Sequence, residues 1–182
     1  MAGRTRSQSV ALNRFHTLMK TKLIPTQNNL SKPTRRKMIE LLNQQLADVL
    51  DLGLQAKQAH WNVKGPHFIG LHELFDKVAE ELEEFTDEIA ERAVELGGVA
   101  LGTIQVVSKR SRLVAYPLDI YSGKEHVGAL SSALAKCGAS VRAAIDAASQ
   151  AGDADTADLF TEVSRGVDKL LWFVEAHAQA RE

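Results

Sequence analysis

The stretch LHELFDKVAEELEEFTDEIAER, Leu71–Arg92, carries the pattern that decides how this chain folds. Its apolar residues recur every three to four positions, which predicts one long amphipathic helix. His72 and Asp76 are four residues apart on this helix, and Asp87 and Glu91 repeat the same spacing. Residues four apart share a helix face, so each pair presents two metal-ligand side chains together.

These two pairs lie too far apart to bind one ion within a single chain. Asp76 and Asp87 are separated by 11 residues, which is close to three turns and about 16 Å of helix. Bonds from metal ions to imidazole or carboxylate groups are only about 2.0–2.2 Å long. The pattern therefore excludes a site made of both pairs from one copy of the helix.

Two copies of the helix, packed antiparallel about a twofold axis, remove this difficulty. Residues that face each other across such an axis have numbers with a constant sum. For His72 with Glu91 that sum is 163, and Asp76 with Asp87 gives the same sum. The spacing thus predicts a symmetric dimer that builds two identical sites from incomplete halves.

His60 is expected to join this site, because Gly65-Pro66 predicts a turn and His60 and His72 lie about equally far from it. Mixed imidazole and carboxylate ligands suit iron, zinc or manganese. The predicted site takes its first three ligands from one chain and its last two from the partner: His60, His72, Asp76, Asp87 and Glu91.

The same helix also has a purely structural interpretation, in which it presents an acidic face to solvent. On such a face, pairs at this spacing arise by chance. Acidic residues outside the two pairs support it: Glu73, Glu80, Glu81, Glu83, Glu84 and Glu88. From the residues alone both interpretations stay open. An intrachain di-iron site built from Glu-x-x-His pairs is excluded, because that motif does not occur in the chain.

The rest of the chain predicts an all-α fold. Its 182 residues favour one domain, with a basic flexible arm at 1–30 and a helical body at 31–182. Four long helices are expected at about 33–63, 67–96, 124–150 and 155–178. The long link 99–123 should carry a short helix and cross the bundle. This is the ferritin-like four-helix bundle with one crossover between helices two and three.

Charge and composition narrow the class of protein. Residues 1–39 contain nine basic residues and no acid, whereas the whole chain has a net charge of −1. A basic arm on an acidic body suggests a polyanion partner for the arm and cations for the body. The single cysteine, Cys137, is expected in the core and excludes an intrachain disulfide. No apolar run is long enough for a membrane span, so a cytoplasmic protein is expected.

The chain resembles the Dps family, the DNA-binding proteins from starved cells, also called miniferritins. The matching text is KQAHWNVKGPHFIGLHELFD followed by DEIAERAVELGG, with support from YPLDI, DTADLFTE and DKLLWFVE. The spacing His-x11-His-x3-Asp-x10-Asp-x3-Glu fills all five ligand positions of that family. The resemblance covers about 37–176.

The resemblance implies a hollow homododecamer with ferroxidase sites at its dimer interfaces. Such a protein oxidises Fe(II), preferably with hydrogen peroxide, and stores the Fe(III) mineral inside. Zinc or manganese are possible substitutes for iron. Trp61, beside His60, is interpreted as interface packing, with interception of stray oxidising equivalents as the alternative. A structural nucleoid protein with a vestigial or zinc-occupied metal site is the alternative function.

Two further regions have both a structural and a functional interpretation. Asp153, Asp155 and Asp158 match a threefold pore in the family and would attract cations, but helix capping explains them too, with Asp155 as the expected cap. The arm could bind DNA phosphates without sequence preference and place the protein on the nucleoid, or it could only stabilise the shell. Its basic residues are Arg4, Arg6, Arg14, Lys20 and Lys22.

Overall fold

The computed structural model describes residues 23–179 and confirms the predicted helical bundle. Apart from one isolated bridge between Lys64 and Ser122, the described part of the chain contains no β structure. The helices are α1 (Lys32–Asn62), α2 (Phe68–Glu95), α3 (Ile104–Arg110), α4 (Gly123–Gln150) and α5 (Ala154–Gln179). The short α3 lies in the crossover, as predicted.

Local chemistry explains where these helices begin and end. Ser31 caps α1 by accepting a hydrogen bond from the Thr34 amide, and a proline stands in the first turn. Ser122 and Glu125 form a reciprocal capping box at the start of α4. Gly97 follows α2 with φ +84°, a left-handed conformation that glycine adopts without strain.

The start of α5 corrects one sequence-based expectation. Asp155 is not the cap, because its side chain is 83 % exposed. Asp153 takes that position instead, and its Oδ1 accepts a hydrogen bond of 3.1 Å from the amide of Thr156. Asp153 is 2 % exposed, so it lies at the junction of the bundle rather than on its surface.

The core is made by the apolar faces of all four long helices. α1 packs along α2, and α4 packs along α5. Fully burying one such side chain contributes about 1.5–3 kcal/mol. Cys137 is completely buried, as expected. The largest buried side chains are Met38, Leu42, Leu46, Leu52, Phe75, Leu82, Ile89, Leu96, Leu130, Leu134, Phe160 and Leu170.

Buried polar contacts hold the crossover against α1. Asp48 is 1 % exposed and accepts hydrogen bonds from the backbone amide of Arg112 at 2.8 Å and from its Nε at 2.9 Å. Asn43 accepts a hydrogen bond of 2.7 Å from the Leu101 amide and donates one of 3.0 Å to the Val99 carbonyl. The link is therefore an ordered part of the fold.

The chain before α1 is described only from Leu23 onward. The Ile24 amide donates a hydrogen bond of 2.9 Å to the Gly97 carbonyl, so this segment adds to the end of α2. The division into an arm at 1–30 and a body at 31–182 stays a prediction, because residues 1–22 lie outside the described part. None of the helices within residues 23–179 combines the length and apolar content needed to cross a membrane.

Candidate metal centre

The turn between α1 and α2 brings His60 and His72 side by side. His60 Nδ1 lies 2.7 Å from the His72 carbonyl oxygen, and His72 Nδ1 lies 2.8 Å from the His60 carbonyl oxygen. The two rings stack, with centroids 3.7 Å apart and planes 22° apart. Phe68 lies against His72 at a centroid distance of 5.1 Å. Both side chains are thus held in one arrangement by a reciprocal pair of hydrogen bonds.

These hydrogen bonds determine the tautomer of each ring. A carbonyl oxygen only accepts, so each Nδ1 must carry the proton and donate it. A neutral ring then keeps its lone pair on Nε2. Histidine ligands of metal sites are commonly held in this way, with one nitrogen on a carbonyl and the other on the ion. The pair presents two nitrogen ligands that need no rearrangement of their backbone contacts.

Asp76 lies beside the histidines and is ionised. Its carboxylate makes a hydrogen-bonded ion pair with the Lys57 ammonium, and its Oδ1 is 4.0 Å from His60 Nδ1. The hydrogen bond from Lys57 is the main reason why the pKa of Asp76 is lowered, with smaller contributions from the two histidines. Lys57 also lies 5.8 Å from the centroid of the Trp61 ring.

Lys57 is the residue that sequence reasoning missed. It stands three positions before His60, so the helical period alone places both on one face of α1. Its pairing with Asp76 depends on how α1 packs on α2. In this arrangement the ammonium pairs with a carboxylate that the sequence predicts as a metal ligand.

Asp87 and Glu91 lie farther along α2 and are exposed. Within residues 23–179 of one chain, no cluster of three or more His, Cys, Asp or Glu side chains is close enough to hold a metal ion. The helix geometry accounts for the separation of the two pairs, but the same finding applies to His60, His72 and Asp76, which do not form such a cluster by themselves. Burial and three neighbouring acids, Glu162, Glu84 and Asp87, raise the pKa of Glu88, so this end of α2 carries a dense negative charge.

A groove of about 550 Å³ runs between α1 and α2 on the face that carries Asp76. It extends to Thr86 and so passes the midpoint about which the two ligand pairs are symmetric. Leu54 on its wall is 55 % exposed, and Trp61 near its end is 64 % exposed. Exposed apolar side chains around a groove are typical of a protein interface. Its lining is Val49, Leu50, Gly53, Leu54, Lys57, Asp76, Ala79, Glu80, Leu82, Glu83 and Thr86.

The aspartates at the start of α5 differ in their surroundings. Asp153 binds Arg92 Nη2 at 2.9 Å and the Thr156 hydroxyl at 2.6 Å. Asp155 is 3.6 Å from the same guanidinium, and Asp158 is exposed. Asp153 therefore connects α2 to α5 through these contacts, while the carboxylates of Asp155 and Asp158 face outward.

Comparisons with known proteins agree with this architecture. The profile of the ferritin-like domain family matches residues 39–181. A protein of Agrobacterium fabrum named DNA protection during starvation protein is 49% identical over 156 residues, which cover 86% of this chain and 96% of that protein. A protein of the same name from Mycolicibacterium smegmatis is 33% identical over 141 residues, 78% of this chain and 76% of that protein.

The same architecture occurs in solved structures. DpsC from Streptomyces coelicolor superposes with a TM-score of 0.83 at 31% identity, and the match covers 90% of this chain and 95% of that chain.

The contact between Lys57 and Asp76 makes a testable prediction. Replacing Lys57 by Met removes the competing cation, so the assembled protein should bind Co(II) more tightly. An exposed ion pair contributes about 0.2–1 kcal/mol, which corresponds to a gain of at most about fivefold. The affinity is measured from the visible absorption of bound Co(II).

Lys77→Met is the matched control, because it removes the same charge from α2 at a residue that packs over Phe173 instead. Weaker Co(II) binding in the Lys57 variant would show that Lys57 supports the site rather than competes for it.

Proposed function

We propose, from the premise that this chain belongs to the Dps family of ferritin-like proteins, that it oxidises Fe(II) at sites shared between two subunits and stores the product. The observation that carries the proposal is the histidine pair. His60 and His72 fix each other through Nδ1 and leave both Nε2 atoms available. An ionised carboxylate, Asp76, lies beside them on an open face.

The partner subunit completes each site with Asp87 and Glu91. Helix rise keeps these residues away from the histidines of their own chain, and the constant sum of residue numbers places them opposite the histidines of a symmetric partner. The groove between α1 and α2 is the surface against which the partner packs. Imidazole and carboxylate ligands together suit Fe(II) and also bind zinc or manganese.

The ring geometry favours two iron positions in each site. The lone pair of an imidazole nitrogen lies in the plane of its ring, and these two rings are nearly parallel. The Nε2 atoms of His60 and His72 would therefore bind two neighbouring ions, one each, rather than a single shared ion. Two Fe(II) ions supply the two electrons that turn hydrogen peroxide into water, so peroxide is the oxidant we prefer. The carboxylate ligands neutralise the additional positive charge that each iron ion acquires when Fe(II) becomes Fe(III).

A homododecameric cage is the assembly that we propose. Asp155 and Asp158 would line a threefold pore in that assembly, where a ring of carboxylates attracts cations. Asp153 contributes by fixing the end of α5 through Arg92. A structural nucleoid protein with a zinc-occupied site is the second candidate. The two neighbouring ion positions that the stacked rings favour suit a two-electron oxidation better than a single structural zinc ion.

The shared site predicts complementation between inactive variants. The His72→Ala subunit lacks a functional histidine half, and the Asp87→Ala subunit lacks a functional carboxylate half. In a mixed dimer the two intact halves meet at one of the two sites, so one site of the two is complete. Random mixing should restore about a quarter of the wild-type rate of Fe(II) oxidation with peroxide. The rate is followed by the absorbance of Fe(III).

The matched control mixes His72→Ala with Asp76→Ala. Both residues belong to the same half, so neither site of a mixed dimer is intact and no activity should return. Equal recovery in the two mixtures, or none in either, would reject the intersubunit site.

Variants of the aspartates at the start of α5 should separate an effect on protein stability from an effect on iron uptake. Asp153→Ala removes a helix cap and the buried partner of Arg92, and should lower the free energy of unfolding by about 1–3 kcal/mol in thermal denaturation. Asp158→Asn should leave stability within about 0.5 kcal/mol but slow iron uptake at low ionic strength. Wild-type uptake in Asp158→Asn would remove Asp158 from the pore.

DNA binding is proposed for the N-terminal arm, whose residues 1–22 lie outside the described structure. Deleting them removes Arg4, Arg6, Arg14, Lys20 and Lys22 and should abolish DNA retention in a gel shift. For the full-length protein, affinity should fall by roughly 10³ or more between about 50 and 200 mM salt, because phosphate contacts release counterions. Oligomer size and iron oxidation should not change.

A full-length variant with these five residues changed to Gln separates charge from length. It should lose DNA binding as completely as the deletion. If either variant shifts DNA with the wild-type salt dependence, the arm is not the DNA-binding element.

A further inference from the structure

Tyr116 and His126 form a hydrogen-bonded pair that the proposed iron chemistry does not use. Tyr116 Oη and His126 Nδ1 are 2.8 Å apart, and the ring planes differ by 16°. His126 is 1 % exposed, and Tyr116 in the crossover is half-buried. The pair thus joins the crossover to the first turn of α4 through two groups that can exchange a proton.

The pair is unusual in leaving a buried polar atom unsatisfied. Nε2 of His126 is fully buried and has no hydrogen-bond partner among the described residues. A buried group of this kind lowers stability, and in native proteins it calls for an explanation such as a redox or catalytic role. An apolar side chain at position 126 would remove the unsatisfied atom but would also leave the Tyr116 hydroxyl without its partner, so the histidine serves the contact with Tyr116.

The electrostatics keep the resting pair neutral, and two neighbours partly offset the cost of charging the imidazole. Burial lowers the pKa of His126, while the charge of Glu125 and the carbonyl of Ile120 act in the opposite direction. The Ile120 carbonyl acts on the ring although Nε2 makes no hydrogen bond of normal geometry. Burial also raises the pKa of Tyr116. A neutral phenol therefore faces a neutral imidazole whose charged form has two stabilising neighbours.

The pair contacts the helix that carries the metal ligands. The ring of Phe75 is 6.4 Å from the His126 ring, centroid to centroid. Phe75 is completely buried and directly precedes Asp76 in the sequence. A continuous path of packed aromatic groups and backbone thus runs from Asp76 through Phe75 and His126 to Tyr116.

We propose that Tyr116 is a one-electron redox site, with His126 as its proton acceptor, that removes oxidising equivalents escaping from the iron site. The inference rests on the proposed function for its oxidant, the hydroxyl radical that forms when a single Fe(II) reduces hydrogen peroxide. That radical takes one electron from Tyr116 and becomes hydroxide. The phenolic proton moves to His126 Nδ1, which leaves a neutral tyrosyl radical beside an imidazolium.

A second Fe(II) closes the cycle. It gives one electron to the tyrosyl radical and becomes Fe(III), and the proton returns from His126 to the phenol oxygen. No atom is added to the protein, so the site can act repeatedly. The buried hydrogen bond is what makes oxidation easier at Tyr116 than at Tyr121, the only other tyrosine, whose side chain is 59 % exposed.

The test uses the assembled protein loaded with Fe(II), mixed with peroxide and frozen within a second for electron paramagnetic resonance. We expect a tyrosyl signal that is lost in Tyr116→Phe and retained in Tyr121→Phe. The Tyr121→Phe variant contains one tyrosine, so ring-deuterated tyrosine in that background should narrow the signal with Tyr116 unchanged. His126→Leu should lower the radical yield and shift its g values, because the hydrogen bond is gone.

Iron oxidation measured in the same mixture keeps the two proposals apart. Wild-type protein that oxidises no iron rejects the proposed function, whereas iron oxidation without a Tyr116 radical rejects only this inference. A signal that persists in Tyr116→Phe, or one from Trp61 or Trp172 alone, also overturns it. Metal-free protein oxidised by a photoexcited ruthenium complex with persulfate tests the pair without iron, and there the Tyr116 radical should outlive that of Tyr121.

Discussion

The fixed rise of α2 is the constraint on which the proposed chemistry depends. An α-helix is too stiff to bring Asp87 and Glu91 back to His72 across about 16 Å, so in the proposed scheme one subunit carries two half-sites and no complete one. The functional unit must then be an assembly. The same helix also carries the core residues that define the bundle, so the position of each half-site is as rigid as the core itself.

Polar contacts at the ends of the helices turn this rigidity into a defined geometry. The reciprocal hydrogen bonds of His60 and His72 connect the ligands to the backbone of the neighbouring helix. Asp48 does the same for the crossover, and Asp153 does so for the start of α5. Buried polar groups that are fully satisfied specify a unique arrangement. The bundle supplies the stability, and these contacts fix where the chemistry occurs.

Charge is divided between the parts of the chain in a way that fits both proposed roles. The acidic end of α2 and the outward aspartates of α5 attract cations, while residues 1–31, before α1, contain five basic residues and no acid. Lys57 lies among the predicted metal ligands and pairs with Asp76. In the proposed site, Fe(II) would have to compete with this ammonium for the carboxylate of Asp76.

The sequence by itself determined the helices and the crossover, and it predicts the antiparallel relation of the ligand pairs. These follow from the 3.6-residue period and from local capping signals, which act within a few residues of the chain. Only the tertiary structure decided that Lys57 pairs with Asp76, that Asp153 binds Arg92 of α2, and that Tyr116 meets His126. Each of these depends on which side chains of separate elements come into contact. Such contacts result from packing across the core, and no local pattern encodes them.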